Sequence, residues 1–196
     1  LGFTISPHEE CAVEEAISFI EKQGGSSTVL TLGPSASEEQ VRDSMARGVE
    51  RAILLETDGS EWDPAETASA IVETVRGLGP KPFDLLLLGS ESADSANFQV
   101  GIRVACELEL PCLSGIKHLE IQGNKAVGKR EVDDGWEVYE VDLPAVVTVK
   151  EGINLPRYPS LRGTMKAKKK PVERRAPKRP GPGLEMEGLR HPPETG

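Results

Sequence analysis

The sequence predicts an α/β fold, a doubly wound and mostly parallel sheet that closes with a β-hairpin and an extended tail. Three observations predict it. Short apolar strands alternate with amphipathic helices up to about Leu108, the pattern of parallel β-α-β units. The strand "FDLLLLG" is apolar on both faces, as a strand covered by helices on two sides must be. After Pro111 the pattern changes to strands joined by turn residues.

The elements follow in order. In "SPHEECAVEEAISFIEKQGG", Ser6 is placed to cap, Pro7 falls at the first helical position and Glu9 completes a capping box. Val13, Ala16, Ile17 and Ile20 recur at helical spacing until Gly24 and Gly25 stop the helix. "STVLTLG" reads as a strand. "SEEQVRDSMARG" reads as a helix with Val41, Met45 and Val49 in register, and "RAILLE" as a buried strand. A third helix spans about Asp63 to Arg76, with Ala68, Ile71, Val72 and Val75 on one face. The strand "FDLLLLG" then leads to a helix from about Asn97 to Leu108. "KAVGKREV" and "WEVYEVDL" flank Asp133, Asp134 and Gly135, a hairpin turn sequence. "PAVVTVKEG" is a further buried strand. Beyond Met165 the composition turns to Lys, Arg, Pro and Gly, so Arg174 to Gly196 is expected to be disordered. The organisation this gives is an α/β domain over 1–150, a loop and lysine run over 151–171, and a disordered tail over 172–196.

Charge and cysteines exclude some classes. The 196 residues carry a formal charge of -9, which argues against a general nucleic-acid binder. From Met165 onward there are 9 Lys+Arg and 4 Asp+Glu, so this end carries +5 and the rest of the chain -14. Cys11, Cys106 and Cys112 are odd in number and form no C-x-x-C pair, as expected of small buried thiols in a reducing compartment. No apolar run approaches the roughly 20 residues that span a bilayer, and no signal peptide is read. The chain opens "LGFTISP" without a methionine, which points to residues upstream.

Two stretches could carry chemistry. In "LLLLGSESADSANFQVGIRVA" a buried strand ends at Gly89, small polar residues follow, and a helix begins. That is the carboxyl end of a strand in an open α/β sheet, where ligands bind. Free N–H groups of Phe98, Gln99 and Val100 would favour an anion there. A capped turn without a ligand accounts for the same residues. The other stretch is "LPRYPSLRGTMKAKKKP", a proline-rich loop that closes as a lysine run. His8, Glu9, Glu10 and Cys11 point in different directions on a helix, and the three histidines lack H-E-x-x-H spacing, so no metal is expected. No P-loop, G-x-G-x-x-G or Ser-Gly-Gly-x-Asp-Ser loop is present, and no nucleophile stands beside a base. The body reads as a binder without catalytic residues.

These residues resemble a family. "REVDDGWEVYEVDLPAVVTV" followed by "NLPRYPSLRGTMKAKKKP" resembles the β-subunit signature of electron transfer flavoproteins: an acidic-Gly hairpin, L-P-A-V-V-T, N-x-P-R-Y-x-x-L and M-K-A-K-K-K-P. "SPHEECAVEEA" resembles the family's N-P-F-D-E-x-A-V-E-E-A segment, and "GSESADSANFQVG" its nucleotide loop. The resemblance implies an adenine-nucleotide-binding, Rossmann-like domain and an electron carrier subunit, not an enzyme. Its partner would be an α subunit holding the redox FAD. Structural AMP would sit in this chain, or a second FAD as in electron-bifurcating relatives. Electrons would arrive from flavin dehydrogenases such as acyl-CoA dehydrogenases, in fatty acid oxidation, and leave to a quinone oxidoreductase or another acceptor. The setting would be cytoplasmic, or the mitochondrial matrix in a eukaryote.

The resemblance also places site residues. The nucleotide loop maps onto Asp94 to Val100, with Gln99 on the family's glutamine and Gly101 on its glycine. Ser95 and Phe98 stand where an acidic residue and Asn are common, and Val100 where Thr is common. Ser6 replaces the Asn that begins the first-helix segment, and Leu32 lies where the adenosine would rest. "RYPSL" matches the family's recognition loop, so Arg157 and Tyr158 would serve recognition and Leu161 would be the anchoring leucine, with Lys166, Lys168, Lys169 and Lys170 alongside. Arg162 and Gly163 depart from the usual Pro-x. The family normally opens with a central strand resembling M-K-V-L-V-x-V-K-R-V ahead of the first segment seen here. That strand is expected to be missing, which would weaken nucleotide binding. A nucleotide-sensing α/β module remains the reading from a different class, and the C-terminal signature argues against it.

Overall fold

The computed structural model describes every residue except 1–3, 81, 94, 182, 185, 186, 189 and 192–196. Helix α1 (Pro7–Gln23) opens on Pro7 and stops at Gly24, whose φ of 80° turns the chain away while its N–H closes on the Ile20 carbonyl. Then come β1 (Thr28–Gly33), α2 (Glu38–Arg47), β2 (Arg51–Glu56), α3 (Pro64–Gly77), β3 (Leu85–Gly89) and α4 (Val100–Leu108). The second half comprises β4 (Cys112–Ile116), β5 (His118–Gln122), β6 (Lys125–Val132), β7 (Gly135–Asp142), β8 (Ala145–Val149), α5 (Leu161–Ala167) and β9 (Glu173–Arg175).

The expected α/β architecture is present, with the strands among the described residues in three sheets of three. Two are parallel, in the orders β1-β2-β9 and β3-β8-β4, and the third is an antiparallel β5-β6-β7 meander. Helices cover both faces of the parallel strands. Cys11 and Ala12 of α1 pack with Leu85, Leu87, Val147 and Val149, and Val41 and Met45 of α2 pack with Val29 and Ala52. On the opposite face α3 reaches both sheets. Its Ala70 meets Leu30 and Leu32, while Ala68 and Val72 meet Leu86 and Leu88 beside Val104 of α4. β8 is buried throughout, and Ile53, Leu54 and Leu55 of β2 are fully buried, each contributing about 1.5–3 kcal/mol. The strand that the resemblance places ahead of Ser6 is not among the described residues. β1 and β3 are sheet edges, so the leucines of β3 are only half-buried despite being apolar on both faces.

The hairpin forms where its sequence predicts. Val132 pairs with Gly135, and Gly135 takes the positive φ of 141°. Gly128 lets the meander lie flat on Leu113 and Ile116, since a Cβ there would stand 2.9 Å from Leu113.

Several expectations are corrected. Ser6 is the N-cap of α1, but its side chain makes no capping bond, so no box forms with Glu9. The full box belongs to α3. Asp63 accepts the N–H groups of Ala65 and Glu66, and Glu66 accepts that of Asp63 at 3.1 Å. α4 begins at Val100 rather than Asn97, because Ala96 and Phe98 take left-handed backbone at φ 48° and 55°. Cys11 is buried, but Cys106 is exposed and Cys112 half-buried.

The stretch expected to be disordered from Arg174 contains order. β9 pairs parallel with β2, whose outer edge would otherwise be open. Arg174 pairs with Glu38 and Glu56. Arg179 lies over the Trp62 ring at 5.4 Å and bonds Glu66, a carboxylate only 3% exposed, at 2.7 Å. Composition alone counts what the tail can bury by itself. Here the partners come from the body.

α5 lies on α2 at very short range. A Cβ on Gly163 would fall far inside van der Waals contact with the Ala46 carbonyl. Gly163→Ala should therefore cost about 1–3 kcal/mol in chemical denaturation. An unchanged midpoint would mean that α5 is not packed this way.

Candidate functional site

The carboxyl ends of β3 and β8 are where two helices begin. Ser90 is buried, its N–H bonded to the Val149 carbonyl and its hydroxyl 3.1 Å from that of Thr148. The Thr148 hydroxyl also accepts the Gly115 N–H at 3.0 Å. Glycines allow the crowding. A Cβ on Gly101 would run into the Thr148 methyl, and one on Gly89 would stand 2.6 Å from the Glu9 carboxyl carbon. So the first turns of α4 and α1 both press against these strand ends, and both glycines make room for protein rather than for a ligand. The helix N–H groups left without an i−4 partner are those of Val100, Gly101 and Ile102, because Gln99 is the N-cap.

Charge around this crevice is mixed. His8 Nε2 lies 3.5 Å from a Glu91 carboxylate oxygen, and the Ser6 hydroxyl reaches the Glu91 carbonyl at 3.5 Å. His8 Nδ1 and Glu9 Oε2 are buried without a hydrogen-bond partner. Ser92 and Ser95 join hydroxyls at 2.8 Å, and Gln99 Oε1 accepts from Arg103 at 2.9 Å. Phe98, held at positive φ, is 46% exposed. Ser6, Ser95, Phe98, Gln99 and Val100 thus gather at one end of the sheet, although Gln99 is already occupied by Arg103. Leu32 instead packs with Ile53, Leu55 and Ala70. Asp94 lies outside the described residues.

The second candidate region is 154–170. Asn154 Nδ2 donates to the Cys11 carbonyl at 3.0 Å and to Glu15 at 2.8 Å, which pins the start of the segment to α1. Arg157 is bound more firmly. Its N–H donates to Glu14 at 3.0 Å, its Nε and Nη2 reach Glu14 at 2.9 and 2.8 Å, and Nη1 reaches Glu21 at 2.6 Å. The Ser160 hydroxyl then accepts the Gly163 N–H and caps α5, so "RYPSLRG" is a loop that turns into a helix. Leu155, Tyr158, Leu161 and Met165 are left exposed, Tyr158 at 94% and Leu161 at 81%.

The lysine run is fixed as well. Arg42 Nη1 donates to the carbonyls of Ala167 at 2.6 Å and Lys170 at 3.1 Å, closing the end of α5 onto α2. Lys170 Nζ donates to the Val49 and Glu50 carbonyls at 3.2 Å. Lys166, Lys168 and Lys169 face solvent. Reading the sequence missed Glu14, Glu21 and Arg42 as the groups that hold this segment, because nothing in a helix face of carboxylates names a partner 143 residues away. The Ser160 cap was within reach as a serine two prolines into the loop.

Electrostatics follow from this arrangement. Burial pushes the Glu14 carboxyl up, but the bonds from Arg157 outweigh it and hold it below the ordinary value. Glu21 is lowered by its bond to Arg157, and the guanidinium is raised by Glu21 and Glu14. A carboxyl depressed by folding contributes stability above its unfolded pKa and loses it as pH falls through the folded one. Segment 155–161 should therefore keep its folded backbone chemical shifts from neutral pH down to the ordinary glutamate range and lose them only as pH falls below it. Glu14→Gln should abolish that transition, and a wild-type loop unaffected at low pH would contradict it.

Comparison with known proteins gives the family. The family model described as "Electron transfer flavoprotein domain" matches residues 1–180. The chain is 40% identical over 171 residues to the electron transfer flavoprotein subunit beta of Bacillus subtilis, covering 86% of this chain and 65% of that protein. It is 39% identical over 173 residues to that of Syntrophomonas wolfei, covering 88% and 67%, and 40% identical over 170 residues to that of Mycobacterium tuberculosis, covering 83% and 63%. The chain thus spans about two thirds of the length of these curated relatives. Both the crevice at the ends of β3 and β8 and the pinned segment 154–170 fall inside the matched region, and the chain belongs to the electron transfer flavoprotein β-subunit family.

Proposed function

We propose that this chain acts as the β subunit of a heterodimeric electron carrier, docking flavin dehydrogenases through segment 155–165 while an α subunit holds the redox FAD. The observation that carries this reading is the exposure of Leu155, Tyr158 and Leu161 on a loop whose start and centre are tied to α1 and whose end runs into α5, held against α2. Exposed apolar side chains on a rigid support are what a small docking surface needs, since little ordering entropy is lost on contact. The lysines beside them favour encounter with an acidic rim. A carrier must release each partner, and a small apolar contact permits that.

The FAD supplies the one- and two-electron chemistry when bound. This chain's residues bind and orient. Acyl-CoA dehydrogenases are the partner class the family suggests as donors, with a quinone oxidoreductase or another acceptor downstream. AMP is the proposed occupant of the crevice, where the N–H groups of Val100, Gly101 and Ile102 would hold its phosphate. The nearby carboxylates of Glu9 and Glu91 mean that main-chain N–H groups, not basic side chains, would meet the phosphate charge. Ser6, Ser95 and Gln99 remain the candidate side-chain contacts, Gln99 after release from Arg103.

Two measurements check this. The chain would be co-expressed with an α subunit, the purified complex denatured and its nucleotides counted. One FAD and one AMP per heterodimer is the expected result, whereas two FAD and no AMP would replace AMP by a second flavin. In the same complex, Leu161→Ala should lower kcat/KM for reduction by an acyl-CoA dehydrogenase about 10- to 100-fold, the worth of one buried leucine, without altering nucleotide content. Unchanged kinetics would remove Leu161 from the docking surface.

A further inference from the structure

We propose that Arg157 is a positioning residue for docking: it fixes the apolar ridge of Leu155, Tyr158 and Leu161 on α1 and does not itself meet the partner. This inference rests on the docking reading above and adds how the surface is aimed.

The sequence leaves the loop with few ways to hold itself. Leu155 and Tyr158 each precede a proline, which restricts them to extended backbone, and Pro156 and Pro159 have no N–H to donate. The loop is therefore stiff within itself but makes little secondary structure. It is tied at its start by Asn154 and at its end by the Ser160 cap. Between those points the fastening is Arg157. Its backbone N–H and three side-chain nitrogens all go to α1, where Glu14, Ser18 and Glu21 form one stripe at helical spacing.

The chemistry of the pair argues for alignment rather than partner contact. The Glu14 side chain is only 9% exposed, so its charge depends on the guanidinium. A guanidinium presents five donors in a rigid plane and can serve two carboxylates at once, which an ammonium cannot do with the same geometry. With Nε and Nη2 engaged by Glu14, and Nη2 and Nη1 by Glu21, four of the five guanidinium donors of Arg157 are already committed to α1. The neighbouring side chains are the reverse case, since Leu155, Tyr158 and Leu161 project and touch little of their own chain.

The test uses the full α/β complex carrying Arg157→Gln, Arg157→Lys, Leu161→Ala and the double variant Arg157→Gln/Leu161→Ala. In reduction by an acyl-CoA dehydrogenase, Arg157→Gln should raise the half-saturating concentration about tenfold or more, with the maximal rate and nucleotide content unchanged. Arg157→Lys should recover little of this. Leu161→Ala should cost much less on top of Arg157→Gln than alone, because a misdirected ridge has already lost its anchor. Without any dehydrogenase, amide exchange over 155–161 should rise in Arg157→Gln. Additive effects of the two substitutions, or an exchange pattern unmoved by Arg157→Gln, would overturn the positioning role. A wild-type complex that no dehydrogenase reduces saturably would instead overturn the docking reading, and this inference with it.

Discussion

Glu14 is a carboxylate withdrawn from water on the middle of α1, and it is tolerable there only because Arg157 is fixed against it. The placement of the loop around Arg157 depends on that pairing. α1 buries one face on β3 and β8 through Cys11 and Ala12, and offers the other to the loop through Glu14, Glu15 and Glu21. α1 thereby sets the position of the loop's start and centre relative to the sheet, while α2 holds the α5 end. Its first turn also reaches the crevice, where Glu9 presses on Gly89. The two candidate regions share one rigid element.

The uneven charge of the chain has a structural reading. Among the described residues, the basic end is tied to the acidic body. Arg174 reaches Glu38 and Glu56, Arg179 reaches Glu66, and Arg42 of the body returns the exchange by donating to the Ala167 and Lys170 carbonyls. These are contacts between segments far apart in sequence. Being partly exposed, such pairs are individually weak and salt-sensitive. What they add is direction, because each is made to one particular carboxylate or carbonyl. The solvent-facing Lys166, Lys168 and Lys169 are thereby presented on a fixed helix end rather than on a free chain.

How much of this is legible in the sequence depends on the range of the interaction. Elements fixed by local periodicity or turn chemistry are readable: α1 to α3, the strand "RAILLE" and the hairpin at Asp133 and Asp134. The stretch "LPRYPSL" is readable as resembling a family signature, and that resemblance is what proposes it for docking. Errors fall where an unsignalled backbone conformation or a distant group decides. α4 starts late because the loop before it takes left-handed backbone at Ala96 and Phe98, which no periodicity signals in non-glycine residues. The capping box at Ser6 fails although its residues are right, while Asp63 and Glu66 form one. β9 orders on the edge of β2, and Arg157 turns inward, for reasons written in β2 and α1 rather than in their own neighbourhoods. A polar or charged residue names its chemistry in the sequence but not its partner.

The central claim is that segment 155–165 is a pre-aligned docking surface. Hydrogen exchange on the intact α/β complex, with and without an acyl-CoA dehydrogenase, tests it most directly. Protection is predicted over residues 155–165, with the loop from Ser90 to Gln99 unchanged. Protection confined to the β5-β6-β7 meander, with 155–165 exchanging as freely as before, would contradict it.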